Sequence, residues 1–160
     1  MPNINLAETV HEFMRIGGQT VDTPDARQAS LYLGLQMEEL AEKLGVLIAV
    51  HTFENDILQT LKSHLEFISG VAKNGGFTGT FSTMFREYPE AHAECVDADA
   101  DLAWVALGGL MCSAHRPLDV INEVARANMD KYVDGVAMRD ANGKIQKPTG
   151  WRGPNHNGFL

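Results

Sequence analysis

Only two cysteines occur among the 160 residues, Cys95 and Cys112, and they form no CxxC pair. That scarcity argues against a disulfide framework and suits a reducing compartment, so a cytoplasmic protein is expected. Positive charge is also short, with 13 Lys and Arg against 21 Asp and Glu and a formal charge of -8. Such a chain is not expected to grip nucleic-acid phosphates, and an anionic substrate would need a cation as intermediary. No run approaches the ~18 uncharged apolar residues of a membrane span. The longest candidate, residues 102–113, is shorter and broken by glycine, so no membrane partner is expected. Residues 1–10 carry Glu8 and lack both a basic region and an apolar run, so they do not read as a signal peptide. The six histidines include no HExxH, and GGFTGTF lacks the Lys-Ser/Thr of a phosphate-binding loop.

What is present is helical periodicity. Hydrophobic residues make up 44% of the chain, enough for one compact domain against a prior of about 150 residues per domain. Leu6, Val10 and Phe13 predict a first helix that stops at Gly17-Gly18. Residues 18–27 form a loop whose aspartates can cap a second helix over about 28–50. Leu33, Met37, Leu40, Leu44, Leu47 and Ile48 make the core stripe of that second helix. Ile57, Leu58, Leu61, Leu65 and Ile68 predict a third helix, ended in the region of Gly70 and Gly75-Gly76. Residues 76–88, with Phe77, Phe81 and Phe85 among small polar residues, read as a short hairpin or an ordered loop. A fourth helix is expected over 97–114 and a fifth from Pro117 to about Tyr132. β-branched alternation is rare. The class is therefore all-α, an antiparallel helical bundle in a single domain over 1–160, with 133–160 as a polar C-terminal arm.

Two acidic sets stand out. Glu38 and Glu42 lie one turn apart in the run EELAE, and like charges at that spacing cost a few tenths of a kcal/mol unless a cation sits between them. The bland alternative is a solvated face with Glu39 paired to Lys43. Wheel geometry puts Glu38 and Glu42 on the side of Leu31 and Leu35, and a mixed Leu-Glu face is usually covered by another helix. The second set, Asp97, Asp99 and Asp101, has its own bland explanation, because carboxylates are favoured in a first helical turn by the macrodipole. Asp97, Asp101, Trp104 and Gly108 nevertheless share one stripe, opposite Ala98, Leu102, Val105, Ala106 and Gly109. Carboxylates from two helices would offer hard oxygen ligands to Mg²⁺ or Mn²⁺, which bridge phosphates. On the fifth helix Arg126, Asn128 and Lys131 are candidates for phosphate or sugar contact. Lys144, Lys147 and Arg152 in the arm read first as solubility, and Trp151 and Phe159 as anchors.

Taken together, LQMEELAEKL, DADADLAWVALGGL, INEVARANMDK and GKIQKPTGWRGPN resemble the all-α nucleoside triphosphate pyrophosphohydrolases of the MazG-like group, in particular its short phage-type members. The resemblance covers most of the chain. EExxE is specific only together with the downstream acidic helix and the Asn-x-x-Lys. Residues 13–19, ending in Gly18-Gln19, resemble the family's lead into its first loop and add Gln19 to the substrate-binding candidates. One departure concerns the second acidic helix, where Ala98 stands in place of the family's usual Glu and Asp97, on the face of Asp101, takes over the role. The segment 52–95 is longer than in the smallest members, and the resemblance makes it a candidate for substrate selection.

The resemblance implies a Mg²⁺-dependent hydrolase, with Mn²⁺ as a substitute, that splits a nucleoside triphosphate into monophosphate and pyrophosphate. Glu38, Glu42 and Asp101, with Glu39 or Asp97, would hold the ions, and Glu39 would orient or deprotonate the attacking water. Lys131 and Arg126 would stabilise phosphate charge, Asn128 would bind phosphate or sugar, and Trp104 would contact base or sugar. A homodimer or homotetramer of helical bundles is implied. Some phage-type members turn (d)GTP into (d)GMP, which makes dGTP the first candidate substrate, with broad house-cleaning or dUTP hydrolysis as alternatives. A reading from another class is a helical interaction module whose Glu-Leu face binds a partner helix.

Overall fold

The computed structural model describes residues 5–50 and 56–160. Residues 1–4 of the N-terminal reading and 52–55 of the segment assigned to selection therefore lie outside the described residues. Six helices and no strand occur among those described: α1 (Leu6–Ile16), α2 (Ala26–Val50), α3 (Asp56–Lys73), α4 (Thr78–Glu87), α5 (Pro89–Met111) and α6 (Pro117–Met129). The all-α class holds. No helix is long and apolar enough to cross a membrane. The chain divides into two compact units, one built from α2, α3 and α4 with residues 141–143, the other from α1, α5, α6 and the rest of the arm.

In the first of these units α2 and α3 run antiparallel, in close approach through small residues. Asp25 caps α2, its Oδ1 accepting from the Gln28 backbone N–H at 2.9 Å. The buried residues of α2 are Ser30, Leu31, Gly34 and Ala41, opposite Leu65, Ser69 and Ala72 of α3. A Cβ on Gly34 would stand 2.9 Å from both the Lys73 nitrogen and the Ser69 carbonyl oxygen, so only glycine permits this separation. The apolar stripe expected to form the core is not the buried one, since Leu40 and Leu47 are 45% and 48% exposed. Small side chains bring the two helix backbones together, and the larger stripe lies off that contact. Ser30 Oγ donates to the Ala72 carbonyl at 2.7 Å and accepts from the Phe77 N–H at 3.3 Å, tying the end of α3 and the start of α4 to α2.

The hairpin or loop expected over 76–88 is instead helix α4, which packs on α2. Its Thr, Gly and Ser residues have poor helix propensity and mask the signal. The four-residue spacing of Phe77, Phe81 and Phe85 is what makes it helical, with the last two rings 5.8 Å apart. The next helix also departs from expectation. It begins at Pro89, well before residue 97, because proline is pre-organised for the first helical position.

In the other unit α1 packs on α6. Gly17 is buried beneath Ile145 and Tyr132, where any Cβ would fall 2.6 Å from Ile145 Cδ1. The Tyr132 hydroxyl donates to the Phe13 carbonyl, and the two rings meet edge to face at 5.3 Å. The arm has only isolated bridges, Val133 with Val136 and Arg139 with Ile145, yet it is firmly docked. Trp151 Nε1 donates to the Ala127 carbonyl at 2.6 Å, the Arg116 N–H to the Phe159 carbonyl at 3.0 Å, and Ile145 is buried. The anchoring expected of Trp151 and Phe159 is thus observed.

Candidate functional site

On α2, Glu38 occupies the middle of the face turned to α3, because it lies on the same side as Gly34, Ala41 and Gly45. Its Oε1 accepts from Lys73 Nζ at 2.9 Å, with the two side chains 29% and 24% exposed. A cation therefore does offset the Glu38–Glu42 repulsion, and it is a lysine from the last turn of α3. Between α2 and α3 runs a groove of about 620 Å³, bordered by Glu38, Glu42, Lys62, Glu66, Ser69 and Lys73 over a floor of Ala41, Gly45 and Ala49. Lys62 pairs with Glu66. Ser69 Oγ is buried with no hydrogen-bond partner among the described residues. A buried hydroxyl left unmatched costs about 1–3 kcal/mol, so this wall of the groove favours any polar group that reaches it. Glu42 is exposed at the groove edge, and Glu39 is exposed on the same helix.

Asp97 and Asp101 lie on α5, in the other unit, along with Trp104. Since α5 starts at Pro89, these aspartates sit in the helix interior and the acidic residue of the first turn is Glu90. The macrodipole does not account for them. Asp is a poor interior helix former, roughly 0.5–0.7 kcal/mol worse than Ala per residue, and neither Asp97 nor Asp101 joins an ion pair among the described residues. Trp104 is 78% exposed, and so are Leu102 and Val105 on the opposite side, at 48% and 61%. No residue of this 23-residue helix is buried. Partial burial, and then the charge of Asp99, push the Cys95 thiol above its ordinary pKa, so that thiol is not activated.

The remaining candidates gather around α6. Arg126 forks onto Glu123, at 2.9 and 2.7 Å, and also reaches Asp130, so its charge is matched by two carboxylates. The guanidinium hydrogen bond, followed by the Asn155 backbone N–H, holds the Glu123 carboxyl down at about 2. Lys131 Nζ donates to Asn128 Oδ1 at 2.7 Å and stands over the Phe13 and Trp151 rings at 5.9 and 5.8 Å. Gln19 follows the turn at Gly18, whose carbonyl accepts from Arg139 at 2.8 Å, and its own N–H donates to the Met14 carbonyl at 2.9 Å. Gln19, Asn128, Lys131, Asp97, Asp101 and Trp104 belong to one unit, and Glu38, Glu39 and Glu42 to the other.

Sequence reasoning missed Lys73 and Ser69, whose place opposite Glu38 depends on the α2–α3 register. The available signal was Gly34 and Gly45 on the Glu38 side of α2, since glycines inside a helix mark a close neighbour. Among the described residues no three His, Cys, Asp or Glu side chains are grouped tightly enough to hold a metal ion. The candidate ligands are all carboxylates, the donor type that Mg²⁺ and Mn²⁺ take, but they are divided between the two units and Glu38 is engaged by Lys73. Comparison with family models, with curated proteins and with solved structures found no match for this chain.

Proposed function

We propose that the protein is a metal-dependent nucleoside triphosphate pyrophosphohydrolase that converts a (d)NTP, with (d)GTP preferred, to the (d)NMP and pyrophosphate. The observation that carries this reading is the placement of Asp97 and Asp101 one turn apart inside α5, beside the exposed Trp104, where helix capping gives no reason for them. Glu38, Glu42, Asp97 and Asp101, with Glu39, would hold Mg²⁺ or Mn²⁺. The ions supply the positive charge that lets a triphosphate approach a chain of net charge -8. Glu39 orients a water and takes its proton as the water oxygen bonds to a phosphorus flanking the α–β bridge. The bridging P–O bond breaks, and pyrophosphate and monophosphate leave. Lys131 and Asn128 bind phosphate oxygens, and Trp104 offers its ring to the base. Arg126 is assigned a lesser part, since Glu123 and Asp130 already hold it.

Oligomerisation belongs to the same reading. A helix apolar on more than one side is normally covered, and α5 exposes Val96, Leu102, Val105 and Met111 together. A second copy, in a homodimer or homotetramer, is the proposed cover. The same exposed surface is what favours the competing reading, a helical interaction module without catalysis. Side-by-side incubation of dGTP, dATP, dCTP and dUTP with Mg²⁺, with monophosphate and pyrophosphate measured separately, decides between them. Equimolar monophosphate and pyrophosphate, fastest from dGTP, is expected. Absence of turnover with all four and their ribonucleotide counterparts would favour the interaction module, and a pyrimidine preferred tenfold, about 1.4 kcal/mol in transition-state stabilisation, would overturn the purine preference alone.

A further inference from the structure

The arm reverses the charge of the rest of the chain. Residues 133–160 hold Arg139, Lys144, Lys147 and Arg152 against Asp134 and Asp140, in a protein whose formal charge is -8. Two of these groups have structural employment: Arg139 binds the Gly18 carbonyl, and Asp140 accepts from the Lys144 and Gln146 nitrogens at 3.0 and 3.1 Å. Lys147 is different. Its side chain is exposed, it joins no ion pair among the described residues, and its Nζ stands 4.7 Å from the centroid of Trp151. Lys131 Nζ stands over the same indole at 5.8 Å.

Two like charges are brought to one ring, and the pull of the indole on each is modest at an exposed site. The placement is nevertheless enforced. Trp151 is pinned to α6 by its hydrogen bond to the Ala127 carbonyl, and its own N–H closes a turn on the Pro148 carbonyl at 3.0 Å, directly after Lys147. Lys131 is steadied by Asn128. Two cations brought to one anchored indole, with an amide beside Lys131, are suited to an anion with several charged oxygens, which can accept more than one charge-assisted hydrogen bond.

We infer that the docked arm forms a phosphate-recognition platform, in which Lys147 joins Lys131 around Trp151 to bind the pyrophosphate portion of the substrate and the pyrophosphate product. This inference rests on the function proposed above and adds to it a residue, Lys147, and a task for the arm. Binding is tested by titrating inorganic pyrophosphate without metal, which leaves the carboxylate helices unable to contribute. In a Trp104→Phe background Trp151 is the remaining tryptophan and reports directly, with calorimetry as a readout independent of fluorescence. Saturable binding is expected, weakened at least tenfold in Lys147→Gln and unchanged in Lys144→Gln, an arm lysine not placed on the indole. Sulfate at equal ionic strength should not compete.

No saturable binding by either readout, equal losses in both lysine variants, or equal competition by sulfate would overturn the platform. The two proposals fail separately. Lys147-dependent pyrophosphate binding without turnover of any triphosphate would sink the enzyme reading alone. Full turnover with pyrophosphate binding indifferent to Lys147 would sink the platform alone.

Discussion

Helices α2 and α5 both carry carboxylates in their interiors among apolar residues, yet they are treated in opposite ways. On α2 the fold supplies what the sequence demands. Gly34 and Ser30 let α3 come close, Lys73 meets Glu38, and the buried residues are small. On α5 nothing comparable happens, for Asp97 and Asp101 have no ion pair among the described residues and no residue of the helix is buried. The contrast separates a carboxylate that has an ion-pair partner within its own unit from two that have none among the described residues, and it is on the latter that the proposed metal and the proposed second copy bear.

The largest effect should come from attacking the apolar side of α5. If a second copy covers it, light scattering of the wild type gives a multiple of 17.5 kDa, and Leu102→Glu, which would bury a charge in the contact, gives the single chain. A wild type already at the single-chain mass would remove the difference between the helices as explained above.

A smaller effect separates two glycines. Gly34→Ala forces a Cβ against the Lys73 and Ser69 backbone at 2.9 Å, and overpacking of that kind typically costs ~1–3 kcal/mol. At about 2–4 °C per kcal/mol for a chain of this size, the melting temperature should fall by several degrees. Gly108→Ala on α5 meets open space within the chain and should gain up to ~1 kcal/mol from helix propensity. Differential scanning of both variants checks the pair, and a destabilised Gly108→Ala would mean that the Asp97–Gly108 stripe is itself packed against something.

How much of this was legible in the sequence follows from the same contrast. Element types were readable wherever apolar spacing was strong, as in α1, α2 and α3, and the Asp25 cap was readable from its position before a periodic run. Helix α4 was not, because TGTFSTMFRE has the composition of a loop, and what marks it as a helix is its packing on α2 and the contact between the Phe81 and Phe85 rings. The start of α5 was misplaced for want of weight on Pro89, and that error mattered, since it made interior aspartates look like first-turn ones. The buried side of α2 was missed because size was read as burial, whereas the helix pair closes through Ser30, Gly34 and Ala41. Pairings such as Glu38 with Lys73, or Lys147 with Trp151, depend on register and on how the arm docks, which no local pattern encodes.

The smallest effect concerns the arm's hold on α6. Glu123, kept at about 2 by Arg126 and the Asn155 N–H, has a folded pKa below the ~4.3 of an unfolded chain. Its stabilising contribution is therefore fully present above that unfolded value and is lost as pH falls through about 2. Melting temperatures of the wild type and Glu123→Gln should differ by a constant small amount near neutrality and converge over that acid range. A difference that persisted at the lowest pH would assign the contribution to packing rather than charge.

The most direct test of the central claim is turnover of dGTP by Glu38→Gln, Asp101→Asn and the double variant, each checked by circular dichroism for unchanged helical content. If carboxylates of both acidic helices serve one reaction, each single variant should lose on the order of 10²-fold or more in pyrophosphate release, and the double variant little beyond the worse single, because groups acting as a unit are not additive. Wild-type turnover in either single variant would contradict the account.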